Sequence, residues 1–256
     1  MHKQRVVIKI GTNVMTNKDN RIVRPILSGL VQQVAELYEN DIMAVLVSSG
    51  SVIAGMEVLG ESKIEDKSMR RQVYSSIGQP RMMRLYYNIF RDYGMKCAQV
   101  LATKRDFNPG AHRENMINCY EGLISEGVIP IANEDDAVSV TNSMFSDNDE
   151  LAGLVAELIG ADKFIILTDT DGLYTGHPED KDTEVIEHVR VDENVEKYIK
   201  SSRKGEAEGR GGMGSKLNIA KEAAAKDIPT FIANGKQENV IIDICKGRKV
   251  GTKIVA

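Results

Sequence analysis

Short apolar runs alternate with amphipathic stretches along this chain. Val6-Val7-Ile8-Lys9-Ile10 reads as a strand, and Ile26, Leu27, Leu30, Val31, Val34 and Leu37 then recur at helical spacing. Ile42 to Val47 is a second strand, apolar enough along its length to be buried on both faces. A helical pattern over about 69–92 stops near Gly94, and Met95 to Leu101 is a third strand. A helix over about 113–126 ends at Gly127 before Val128 to Ala132, the fourth strand. A helix from about 148 to 159 ends at Gly160 before Phe164 to Thr168, the fifth. A glycine-rich loop, a helix from Leu217 and the run Thr230 to Ala233 follow. This alternation predicts an α/β fold: a mostly parallel sheet with helices on both faces. The polar stretch over about 172–205 reads as an excursion from that fold and not as a separate domain.

Ligands of such folds bind beyond the C-terminal ends of the strands, so polar residues there carry the interest. Lys9 lies inside an apolar strand, where it needs a partner unless the strand is an edge open to water. Ser48-Ser49-Gly50-Ser51 is suited to an anion, or is simply a tight turn and a helix cap. Asn133-Glu134-Asp135-Asp136 could hold a metal or an ammonium group, or form a solvated acidic loop. Ser146-Asp147-Asn148-Asp149 has more polar groups than one helix cap requires. Asp169 is either a ligand to something or a turn former beside Asp171-Gly172. Each signal has an ordinary explanation, but all of them fall on one edge of one predicted sheet. The four histidines form neither a triad nor a metal set and read as surface residues.

Composition narrows the class. The chain has 256 residues, 42% of them hydrophobic and 27% charged, as in a globular protein. A net charge of −4 argues against nucleic-acid and anionic-membrane partners. No apolar run approaches the roughly 20 residues that span a bilayer. The first apolar run contains Lys9, unlike a signal peptide, and Cys97, Cys119 and Cys245 are too few and too scattered for a disulfide framework. These features predict a cytoplasmic protein with reduced thiols.

The glycine-rich loop adds chemistry. Gly209 to Lys216 offers bare backbone N–H groups at a helix N-terminus together with a lysine, which is what a phosphate needs. Its ending, Gly214-Ser215-Lys216, inverts the last two residues of a Walker A loop, and it lies late in the chain. Phosphate binding therefore survives as a reading and the P-loop does not. Lys9 and Lys216 could flank a transferring phosphoryl group, with Asp149 as a carboxylate that holds both. No general base stands out, as expected where the nucleophile is a carboxylate already ionised at pH 7.

At this point the motifs together resemble the amino acid kinase family. They are Val7-Ile8-Lys9-Ile10-Gly11-Thr12, Val47-Ser48-Ser49-Gly50, Ile77-Gly78-Gln79, Asn133-Glu134-Asp135-Asp136-Ala137-Val138, Asp147-Asn148-Asp149, Leu167-Thr168-Asp169-Thr170-Asp171-Gly172-Leu173-Tyr174 and Gly211-Gly212-Met213-Gly214-Ser215-Lys216. They stand in family order and span nearly the whole chain. The Asn-Glu-x-Asp-Ala-Val and Asp-Asn-Asp pair is similar to the branch that acts on glutamate.

The resemblance implies a three-layer αβα sandwich. It also implies transfer of the γ-phosphate of ATP to the side-chain carboxylate of L-glutamate, the first step towards proline. Lys9, Lys216 and Asp149 would be catalytic. Ser49, Asp136 and Asn148 would bind glutamate. Lys9, Thr168, Asp169, Arg210, Gly211, Gly212, Met213, Gly214, Ser215 and Lys216 would hold ATP, with Mg²⁺ carried by the nucleotide and no protein metal site. Arg210 replaces a small residue common in the family. The implied organisation is a single kinase domain over 1–256, binding the acceptor on about 1–150 and the nucleotide on about 151–256. The C-terminal PUA domain of many members is not expected. A homo-oligomer, dimer or tetramer, and proline as a feedback ligand are further expectations. An N-acetylglutamate, carbamate or UMP acceptor and an inactive nucleotide-binding sensor remain the alternatives.

Overall fold

A computed structural model describes residues 3–139, 144–177, 180, 182–195, 198 and 212–256. Its centre is an eight-stranded sheet in the order β3-β4-β2-β1-β5-β7-β8-β6. The strands are β1 (Gln4–Ile10), β2 (Ile42–Ser48), β3 (Lys96–Ala102), β4 (Val128–Glu134), β5 (Lys163–Thr168), β6 (His188–Arg190), β7 (Thr230–Asn234) and β8 (Thr252–Val255). All pairings are parallel except β7 with β8. The five long strands that the apolar runs predict are all present. β6 and β8 escape that reading because three or four residues carry too little pattern. β6 comes from the polar excursion and pairs with β8 at the far edge of the sheet.

Eight helices surround the sheet among the described residues, besides a short 3₁₀ turn at Lys104–Phe107. α1 (Thr12–Met15), α2 (Arg24–Glu39), α3 (Ser51–Leu59), α4 (Lys67–Asp92) and α8 (Val240–Cys245) cover one face. Their apolar residues meet Val6, Ile8, Ile10, Ala44, Leu46, Ile165 and Leu167. α5 (Ala111–Ser125), α6 (Asn148–Leu158) and α7 (Met213–Ala224) cover the other, against Val7, Val45, Val47, Phe164 and Ile166. The strands bury alternate residues on both sides, the continuous apolar signature of a parallel sheet. This is the three-layer αβα sandwich.

β1 sits between β2 and β5, which decides the fate of Lys9. The strand is central and not an edge, so Lys9 is not in open water. β4, β2, β1 and β5 run side by side in one direction and end together at Glu134, Ser48, Ile10 and Thr168. Helices leave β1 and β2 towards one face and β4 towards the other, which opens a crevice at those ends.

The crossing of α3 and α4 shapes one wall of that crevice. A Cβ placed on Gly78 would lie 1.7 Å from the Ser51 carbonyl oxygen, and one on Gly55 would lie 1.8 Å from that of Tyr74. The two backbones are thus in direct contact, which only glycine permits at these positions. Gly78→Ala is expected to cost about 1–3 kcal/mol of stability, because the helices must separate to admit the methyl group. A denaturant midpoint equal to wild type would show that the crossing relaxes freely.

Candidate active site

The strand ends converge on a cleft of about 290 Å³. At its centre the carboxylate of Asp149 takes one lysine on each oxygen. Lys9 Nζ lies 2.7 Å from Oδ1, and Lys216 Nζ donates to Oδ2 at 3.0 Å. Asp149 has no exposed surface, and Lys9 and Lys216 are 5% and 7% exposed. Three charges so deeply buried are stable only because they answer one another. Burial and the neighbouring Lys216 ammonium lower the pKa of Lys9 below that of an ordinary lysine, against the opposing pull of Asp149.

Asp149 is held in place by its own helix. Asp147 caps α6, accepting the backbone N–H groups of Asp149 and Glu150 at 2.9 and 3.1 Å. Its other oxygen accepts the Ser215 hydroxyl at 2.7 Å. One residue therefore fixes the α6 N-terminus and ties it to the first turn of α7. The acidic cluster at 147–149 is more than a cap, as its surplus of polar groups suggests. Lys216 itself lies within α7, which starts at Met213 after Gly212. The expectation of a loop there is corrected: the Asp147–Ser215 bond and the burial of Lys216 on Asp149 outweigh the helix cost of Gly214, about 1 kcal/mol.

On the acceptor side, Asn148 donates to Asn133 Oδ1 at 2.9 Å and to Ser49 Oγ at 3.1 Å. These residues close the ends of β2 and β4 together. Gly50 follows at φ +97° and caps α3, a left-handed turn suited to glycine. The acidic run after β4 is not a solvated loop. Glu134 and Asp136 are buried, and Asp136 takes Arg71 and Ser75 as partners. Arg71 Nε donates to Asp136 Oδ1 at 2.8 Å, and Ser75 Oγ donates to Oδ2 at 2.6 Å. The Arg71 guanidinium also stands 3.5 Å from Glu134. Burial, then the Asp136 charge, raise the pKa of Glu134.

Beyond β5, Thr168 lines the cleft and its hydroxyl donates to Asp169 at 3.2 Å. Asp169 also accepts the Asn13 side chain at 3.2 Å and is exposed. The cleft is thus divided by charge. The two-lysine triad occupies its centre, hydroxyl and carboxylate groups of β5 its one end, and amides, two buried acids and Arg71 the other. A buried pair of ammonium groups at the joint of parallel strands suits a phosphoryl group, and the mixed-charge end suits a small zwitterion.

The profile of the Amino acid kinase family matches residues 4–234. The chain belongs to that family. A glutamate 5-kinase of Bacteroides thetaiotaomicron is 39% identical over 240 residues, covering 94% of this chain and 66% of that protein. The chain therefore spans just under two thirds of that relative's length. A glutamate 5-kinase of Alkaliphilus metalliredigens is 35% identical over 252 residues, covering 97% of this chain and 94% of that one. Among solved structures, an isopentenyl phosphate kinase of T. acidophilum in a product complex superposes with a TM-score of 0.70 at 18% identity, over 98% of this chain and 100% of that one. At that identity it establishes the amino acid kinase fold alone.

Within this family member, the geometry brings Lys9, Lys216 and Asp149 into contact and places Ser49, Asn148, Asp136, Thr168 and Asp169 along the same cleft. Gly212, Met213, Gly214 and Ser215 cap and open α7. Arg210 and Gly211 lie outside the described residues. Two participants carry no motif signal that sequence reading isolates, Arg71 and Ser75, and the Asn133 amide lies in a quoted motif without a role read for it. Arg71 and Ser75 lie in the first turns of α4, and tertiary packing brings them to Asp136. No described helix is long and apolar enough to cross a membrane.

Proposed function

We propose that this chain transfers the γ-phosphoryl group of ATP to the side-chain carboxylate of L-glutamate. The observation that carries the reading is Asp149 gripped by Lys9 and Lys216 beside a pocket of amides and buried acids. The attacking carboxylate oxygen forms a bond to the γ-phosphorus as the bond to the β–γ bridging oxygen breaks, giving an acyl phosphate and ADP. The nucleophile is ionised at pH 7 and needs no base. The protein's task is then positioning and charge neutralisation, because phosphoryl transfer leaves it little covalent work. Lys9 and Lys216 neutralise the moving group from its two sides, and Asp149 keeps both ammonium groups aimed.

ATP lies across the end of β5, at Thr168 and Asp169, with its phosphates against the N-terminus of α7 and the preceding glycine-rich segment from Arg210. Glutamate occupies Ser49, Asn148 and Asp136. Residues up to about 150 thus serve the acceptor and those after it the nucleotide. No group of three metal-binding side chains stands together among the described residues. The donor set fits a Mg²⁺ held chiefly by phosphate oxygens, where the ion would offset phosphate charge.

A coupled ADP-release assay with glutamate, N-acetylglutamate, carbamate and UMP tests the reading. Turnover with glutamate is expected. Turnover with another acceptor in its place would overturn the substrate, and ATP binding without ADP release from any would overturn the activity.

A further inference from the structure

The acceptor end of the cleft contains an ion pair that the reaction does not use. Arg71 grips Asp136 with Nε and Nη2, both at 2.8 Å, and reaches Glu134 at 3.5 Å. The two carboxylate side chains are each 3% exposed, whereas that of Arg71 is 38% exposed. The acids are built into the wall, and the cation lies over them, reachable from the cleft. Besides Lys9 and Lys216, Arg71 is the one cationic residue among the described residues lining this cleft.

A free amino acid brings an ammonium group and an α-carboxylate as neighbours. Asp136 and Glu134 match the ammonium, but alone they repel the α-carboxylate. Among the cationic side chains that line the cleft within the described residues, Arg71 is the one available to answer it, because both lysines are committed to Asp149. A guanidinium offers a planar fork that fits a carboxylate on two bonds. Its anchor on α4 stays fixed by the glycine crossing while its long side chain can turn.

We propose that Arg71 is a specificity-determining residue for the acceptor: its guanidinium holds the ammonium's place on Asp136 in the empty cleft, then turns to bind the substrate's α-carboxylate as the ammonium takes over Asp136. Exchange of one cation for another keeps the buried acids paired in both states, so neither is left uncompensated. The same exchange disfavours acceptors that lack either charge. This rests on the glutamate reading above.

The test pairs a protein change with a ligand change. 4-Aminobutyrate has the reacting carboxylate and an ammonium group but no α-carboxylate. Arg71→Met is expected to raise KM for glutamate by about 10–100-fold, the worth of a lost charge-assisted contact, with a smaller change in kcat. The inhibition constant of 4-aminobutyrate is expected to rise by less than about threefold, since the group that Arg71 reads is absent from it. Arg71→Lys, which keeps the charge and loses the fork, is expected to fall between wild type and Arg71→Met for glutamate. Equal losses for both ligands would overturn the proposal and leave Arg71 as a brace for Asp136. So would an unchanged glutamate KM. Failure of the wild-type chain to phosphorylate glutamate would instead overturn the reading on which it rests. A melting curve for each variant separates these outcomes from misfolding.

Discussion

Asp149→Asn is expected to lower kcat by a factor of about 10²–10³ and to destabilise the fold by about 3 kcal/mol. The substitution keeps the shape and one hydrogen-bond acceptor but removes the charge. Two ammonium groups then face each other across a neutral amide, each almost fully buried. The lower end of the usual cost of breaking a buried pair applies, because both lysine tips border the cleft and can recruit water. In a chain of this length about 3 kcal/mol corresponds to a fall of roughly 6–12 °C in Tm. Turnover suffers for a separate reason. The amide cannot fix both ammonium groups, so the phosphoryl group meets a disordered pair. Steady-state kinetics at saturating ATP and glutamate, beside a melting curve, measure both effects. Normal turnover would remove Asp149 from its proposed role.

Much of this arrangement is legible in the amino-acid sequence, for a physical reason. A lysine within an apolar strand, or three acids after one, breaks local pattern, and a broken pattern needs a compensating partner elsewhere. Lys9, Asp136 and Asp149 announce themselves in that way. Arg71 does not, because an arginine among Lys67, Arg70 and Arg81 on a long helix looks like any solvated face. The direction in which it points depends on how α4 crosses α3, and that depends on Gly55 and Gly78 meeting backbone to backbone. Such a contact is tertiary and leaves no periodic trace. α3 is hidden likewise: its nine residues contain a glycine and three β-branched side chains, which weakens its helical signal. The start of α7 is misread in the opposite sense. Gly212 and Gly214 suggest a loop, yet the tie from Ser215 to Asp147, in a segment far away in sequence, lets the helix begin three residues before Lys216.

Lys216→Ala carries the second large effect, a fall in kcat by a factor of about 10²–10³, the loss seen when one transition-state donor is removed. KM for ATP is expected to change far less. Lys216 sits opposite Lys9 on the same carboxylate, so its charge counts most when the phosphoryl group lies between donor and acceptor. An interaction made chiefly in the transition state lowers kcat and kcat/KM together, whereas one made with bound ATP raises KM alone. The stability cost should be smaller than that of Asp149→Asn, because Asp149 retains Lys9 and no charge is left alone. Lys216→Arg is not expected to restore turnover. The position is 7% exposed within the first turn of α7, and a larger planar guanidinium cannot take the place of a compact ammonium on one buried carboxylate oxygen without disturbing its packing. A rise in KM for ATP with kcat intact would move Lys216 from the transferring group to the ground-state nucleotide. Lys9 and Asp149 would then carry the chemistry without it.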